Sequence, residues 1–218
     1  MSKLKLTIPL LCDEAAAFAQ VVSSYPEPTL YGVTDGKAVG TYLEHKLRAH
    51  LELGYEFAPC NSASGVDFPE LEVDMKVTAL TQPQSSCPFK SARQKIFGLG
   101  YSLLVFVYDK NDDPATSTAL LRIVHTVFIE ARRTADFTMT KLIRQHLDAQ
   151  CNAEDLIGLM RDRNLPVDDI EAASIAQELL EIGCEQGYLT ISNALQWRLQ
   201  YGRVIEEAGR VDGILRLT

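Results

Sequence analysis

Residues 65–78 read GVDFPELEVDMKVT, and the fold follows from how that run is phased. At period two, Leu71, Val73, Met75, Val77 and Ala79 share one face, while Glu72, Asp74, Lys76 and Thr78 share the other. The apolar face predicts a strand laid on a core. A polar opposite face is ordinary where one side of a sheet is wet, but here it alternates acid, acid and lysine.

Upstream, KAVGTYLEHKLRAHLELG (residues 37–54) places Val39, Tyr42, Leu43, Leu47 and Leu51 at helical spacing, with Gly54 as terminator. Glu44 falls one position past that stripe, at the edge of the buried face. Asp13–Val22 predicts a short helix, and the two prolines of YPEPTLYG break the chain after it. Downstream, residues 81–100 form a loop carrying Lys90, Arg93 and Lys95 and ending in a short helix. YSLLVFVY, Tyr101–Tyr108, is an apolar run suited to a central strand covered on both faces. Asp112–Pro114 marks a turn, and Leu120–Ala131 predicts a second long strand. Helices are expected over Thr138–Gln150, Ala153–Asp162, Asp168–Glu185 and Ser192–Gln200, partial helix over Asn193–Glu207, and a short strand in the tail GRVDGILRLT. This order predicts an α/β or α+β core with a helical C-terminal part. The expected division is a core over residues 1–147 and a helical C-terminal region over 148–218.

A chain of 218 residues, 46% hydrophobic and 23% charged, can bury a full core. Asp13 and Glu14 cut the N-terminal apolar run too short for a signal or membrane segment, so a cytoplasmic protein is expected. The five cysteines are odd in number and lack a CxxC pair, which points to reduced packing residues rather than a disulfide frame or zinc site. A net charge of −8 argues at first against a nucleic-acid partner. Its distribution weakens that argument: residues 148–190 hold ten acids and two arginines, whereas residues 1–147 hold sixteen acids and fifteen bases. Weak, strongly salt-dependent binding to random DNA is expected.

Residues two apart on a strand lie roughly 7 Å apart on the same face, so Asp74 and Lys76 can bracket one small object. Carboxylates hold a hard cation such as Mg²⁺ that polarises a phosphodiester. A neighbouring lysine can orient or deprotonate water and offset charge on the phosphate. Asp67-x6-Asp74-x-Lys76 is the spacing of the PD-(D/E)xK nuclease signature. DFPELEVDMKV resembles the active-site strand of the MutH-like and type II restriction endonuclease family, and GKAVGTYLEHKL resembles that family's KG-x-VG-x-x-LE-x-x-L helix. The resemblance implies a restriction-endonuclease-like core, Mg²⁺ bound by Asp67 and Asp74, water positioned by Lys76, and Glu44 as a further catalytic and metal-binding acid. Asp74 stands where MutH has glutamate, and the interval from Glu44 to Asp67 is longer than in MutH.

The implied activity is Mg²⁺-dependent hydrolysis of double-stranded DNA by a monomer or homodimer, as a type II restriction enzyme at a short site. A MutH-like nickase and a non-catalytic protein-binding module are the alternatives. Candidate DNA contacts are Lys90, Arg93 and Lys95 after the strand and Arg132, Arg133, Lys141 and Arg144 further on; solvated basic loops would look the same. Glu56, Glu70 and Glu72 are expected at the surface, the four histidines lack metal-ligand spacing, and Trp197 and Tyr201 are expected on one helix in the core.

Overall fold

The computed structural model describes residues 3–58, 65–87, 91–192 and 197–218. The strands are β1 (Leu4–Lys5), β2 (Pro26–Glu27), β3 (Tyr55–Glu56), β4 (Val73–Ala79), β5 (Gln84–Ser86), β6 (Ser102–Asp113), β7 (Thr118–Ile129), β8 (Thr190–Ile191), β9 (Arg198–Gln200) and β10 (Ile214–Arg216). The helices are α1 (Ile8–Ser24), α2 (Gly36–Glu52), α3 (Ala92–Phe97), α4 (Phe137–Asp148), α5 (Ala153–Asp162), α6 (Asp169–Ile182) and α7 (Gly202–Glu207). This is the expected α/β class with a restriction-endonuclease-like core. None of the described helices is long and apolar enough to cross a membrane. The chain forms two compact units, each discontinuous in sequence.

The first unit comprises Met1–Pro83, Leu103–Ile129 and Glu207–Thr218. Its sheet runs β10-β7-β6-β4, with β2 also pairing to β7. The β6–β7 hairpin is its spine, antiparallel from Leu103↔Ile129 to Asp113↔Thr118 with a register shift at Val107/Tyr108. Strands β2 and β10 share the outer edge of β7, at Ala119–Leu120 and Val127–Ile129 respectively. Helix α1 lies on β7 and α2 on β4. Val39, Leu43, Leu47 and Leu51, one per helical turn, bury the inner face of α2. They join Leu11, Phe18, Val73, Met75, Phe106 and Phe128 in one core. Each fully buried leucine contributes roughly 1.5–3 kcal/mol of transfer free energy. Asp35 caps α2 by accepting from the Lys37 amide at 3.0 Å.

The second unit comprises Gln84–Ser102 and Glu130–Glu206. Ala92, Ile96, Met139, Ile143, Leu156, Met160, Ile175 and Leu179 form its core. A small antiparallel sheet, β5-β9-β8, belongs to the same unit. The acids of region 148–190 have a local explanation. Asn152 and Asp155 form a capping box on α5, Asp168 caps α6, and Glu154, Asp169 and Glu171 occupy first turns, where helix dipoles favour negative charge. Gly187 is required by space: a Cβ there would stand 2.2 Å from the Ala135 carbonyl oxygen.

The helix expected over Ser192–Gln200 is not found among the described residues. Arg198–Gln200 is strand β9, hydrogen-bonded between β5 and β8, and Ser192 lies in no element; residues 193–196 lie outside the described residues. Trp197 and Tyr201 are therefore not on one helix, although both are buried. Leu199, fully buried between them, fits β-period burial of a three-residue run as well as helical spacing, and pairing decided the outcome.

Candidate functional site

The interval between Asp67 and Asp74 is folded back on itself. Phe68 and Val73 exchange backbone hydrogen bonds of 2.9 and 3.2 Å, Pro69–Leu71 makes a single 3₁₀ turn, and Glu72 reverses the chain with φ of 52°. A left-handed glutamate is uncommon, and its position in the turn removes Glu72 from the strand face expected of it. The reversal returns Asp67 to β4, where its Oδ2 accepts from the Met75 amide at 2.8 Å. Six intervening residues thus act as a clip that sets the two acids side by side.

Asp74 is only 4% exposed, so the polar face of β4 is not wet. Lys76 Nζ stands 2.5 Å from Asp74 Oδ2, but the pair lacks hydrogen-bond alignment, and buried Oδ2 has no hydrogen-bond partner. Burial pushes the Asp74 carboxyl up to about 6, with Asp67 beside it acting in the same direction and Lys76 opposing. A buried carboxylate oxygen that meets its cation without an aligned hydrogen bond is poorly compensated for its lost hydration. Two neighbouring carboxylates, one with such an oxygen, are the hard donors a divalent cation takes. The residues fit the metal.

Glu44 projects from α2 toward Arg48, one turn on, with Arg48 Nε 3.5 Å from Glu44 Oε1. The same guanidinium donates to the Asp67 carbonyl at 3.0 Å and lies 3.7 Å from Asp67 Oδ1. Among the described residues no three His, Cys, Asp or Glu side chains come together as a metal-ligand set. Asp67, Asp74 and Lys76 are thus brought together, and Glu44 reaches them through Arg48. The one sign of Arg48 in the sequence is a base four residues after an acid, Glu44, on one helix face.

Of the basic residues proposed as DNA contacts, Arg93, Lys95, Arg132, Arg133, Lys141 and Arg144 belong to the second unit. Lys90 lies outside the described residues. Arg93 pairs with Glu178 at 2.6 Å, Arg132 with Glu130 at 2.7 Å, and Arg133 with Glu185 at 3.3 Å. Lys95 is turned inward: it is 7% exposed and its ammonium donates to the Ile191 carbonyl at 2.9 Å, so it is not offered to a DNA backbone. The short α3 helix carries it on the face that also buries Ala92 and Ile96. Lys141 and Arg144 are exposed on α4, with Arg144 donating to the Cys184 carbonyl at 3.2 Å.

Residues 5–216 match the sequence profile of the family described as Type II restriction enzyme NspV. This chain belongs to that family of type II restriction enzymes. A curated relative, the "Type II restriction enzyme NspV" of Nostoc sp. (strain ATCC 29411 / PCC 7524), is 65% identical over 210 residues, covering 96% of each chain. No solved structure matches. The chain is therefore a DNA endonuclease of the restriction type. Type II restriction enzymes generally need a divalent metal.

Proposed function

We propose that this enzyme hydrolyses phosphodiesters of double-stranded DNA at a short recognition site, using Mg²⁺ held by Asp67 and Asp74. The observation that carries the reading is the buried Asp74 Oδ2, which lacks a hydrogen bond although a lysine and a second carboxylate lie beside it. Bound there, the metal would polarise the scissile phosphate and neutralise charge on it. The protein's own contributions are distinct. The Phe68–Glu72 clip and the Met75 amide orient Asp67. Lys76 presents an ammonium at the mouth of the acid pair, where it orients the attacking water and steadies negative charge on phosphate oxygens. Glu44 supports the site from α2.

We assign the catalytic machinery to residues 1–147 and an accessory role to 148–218. Lys141 and Arg144, both exposed, are the basic residues of α4 best placed for phosphate contact, and Arg93, Arg132 and Arg133 would have to release their carboxylate partners to share in it. The enzyme acts as a monomer or homodimer in the cytoplasm. Buried Cys12 and half-buried Cys184 suit a reducing compartment, because burial pushes both thiols up to about 11 and keeps them protonated.

The test is incubation of the protein alone with supercoiled plasmid and Mg²⁺, followed by sequencing of the ends. Discrete linear fragments with uniform ends are expected. Open circles that never become linear would replace this reading with nicking, and intact plasmid under every divalent metal would remove the proposed catalysis.

A further inference from the structure

Arg48 is 17% exposed at its side chain, although it carries a full charge. It spends that charge on two acids at once, Glu44 on its own helix and Asp67 on the clip, and it adds a hydrogen bond to the Asp67 carbonyl. Its guanidinium carbon also lies 5.9 Å from the centre of the Phe68 ring, close enough for a cation–π attraction. One side chain thereby ties α2 to both the backbone and the carboxylate of Asp67 and to the residue that follows. A flexible lysine could not hold this fork of contacts.

We propose that Arg48 is the positioning residue of the active site: it fixes Asp67 for the metal, and Glu44 acts by holding Arg48 rather than as a metal ligand. The proposal rests on Asp67 and Asp74 being the metal pair. Two observations support the assignment. No third carboxylate joins that pair among the described residues. The contact that Glu44 makes is to the same guanidinium that grips Asp67. The arrangement carries an electrostatic consequence, because a fixed cation beside Asp67 opposes a second cation bound there. Arg48 therefore trades some metal affinity for a defined Asp67 geometry.

The test titrates Mn²⁺ into the DNA-free protein, following free Mn²⁺ by electron paramagnetic resonance, alongside steady-state cleavage. Asp74→Asn serves as the control and should weaken Mn²⁺ binding at least about tenfold, since it removes a ligand. Arg48→Met should tighten Mn²⁺ binding by about tenfold, because the opposing charge is gone. It should nevertheless lower kcat about a hundredfold, with little change in KM for DNA, because Asp67 is no longer held. Arg48→Lys should return Mn²⁺ affinity to that of the wild type while restoring only part of kcat. Glu44→Gln should leave Mn²⁺ affinity within about twofold and slow cleavage, as expected of a group outside the ligand set. A purely structural arginine would instead weaken metal binding and cleavage together. That outcome in Arg48→Met or Arg48→Lys would overturn the proposal, as would a tenfold loss of Mn²⁺ binding in Glu44→Gln. If Asp74→Asn binds Mn²⁺ as the wild type does, the metal pair itself is wrong.

Discussion

Asp74 in the first unit and Asp136 in the second are each 4% exposed, yet their surroundings differ. Asp136 accepts from the Met139 amide through Oδ1 and from the Ile191 amide through Oδ2, both at 2.8 Å. It caps α4 and ties the start of that helix to β8. Asp74 has a lysine 2.5 Å from an oxygen that accepts no hydrogen bond. Burial alone therefore does not distinguish the two carboxylates; their hydrogen-bond partners do. The surroundings of Asp136 continue this pattern of paired polar groups. Thr140, fully buried, donates to the Asp136 carbonyl at 2.7 Å and accepts from the Gly187 amide at 3.0 Å. In the first unit Asp67 lies beside Asp74 and helps to hold its carboxyl up, a repulsion that an added cation would relieve.

Removing the lysine beside Asp74 has the largest expected effect. Lys76→Ala should slow DNA cleavage by about a thousandfold, in line with loss of a positioned general base or charge stabiliser, while circular dichroism stays that of the wild type. The counterpart in the second unit is Asp136→Ala, which strands two buried amides. It should cost about 2–5 kcal/mol of stability by denaturant melts, and a cost below about 0.5 kcal/mol would dissolve the contrast.

The pH dependence of stability reports the burial of Asp74. The Asp74 carboxyl is raised from its ordinary 3.8 to about 6, so the folded state holds its proton more tightly than the unfolded chain does. Its contribution is most favourable below pH 3.8, and stability is lost as pH rises to about 6. Without metal, Asp74→Asn escapes that loss. Its melting temperature should exceed the wild type's by an amount that grows across this window and levels off above it. An unchanging difference from low to neutral pH would show that desolvation of Asp74 is not the cause.

The smallest expected effect concerns DNA contact. Lys141→Ala and Arg144→Ala should each weaken DNA binding a few-fold across sequences and lower the salt slope by about one. A fluorescence titration at several salt concentrations measures this.

Much of this architecture was legible in the sequence where a periodic pattern was long. The stripe Val39, Leu43, Leu47, Leu51 foretold α2, and the β-branched and aromatic residues of Leu103–Tyr108 and Leu121–Ile129 foretold the hairpin. Ala153–Asp162 matched its helix because caps bound it at Asn152 and Arg163. Short runs were not legible: the three residues of β9 gain their structure from strands distant in sequence, which no local period records. At the site, spacing and strand phase brought out Asp67, Asp74 and Lys76, but alternation suggested a wet face where Asp74 is buried. Lys95 looked like a surface base in a polar loop, and its burial depends on Ile191, nearly a hundred residues away in sequence. Arg48 was hidden in an ordinary-looking helix, because its meaning depends on where the clip brings Asp67.

The proposed metal site stands or falls with Asp74. The most direct measurement is cleavage of plasmid DNA with Mg²⁺ by wild type and Asp74→Asn, each checked for folding by its melting curve. The account predicts discrete linear fragments from the wild type and a loss of at least about a thousandfold in Asp74→Asn, which remains folded and melts higher than the metal-free wild type at neutral pH. An Asp74→Asn protein that cuts at the wild-type rate would contradict it.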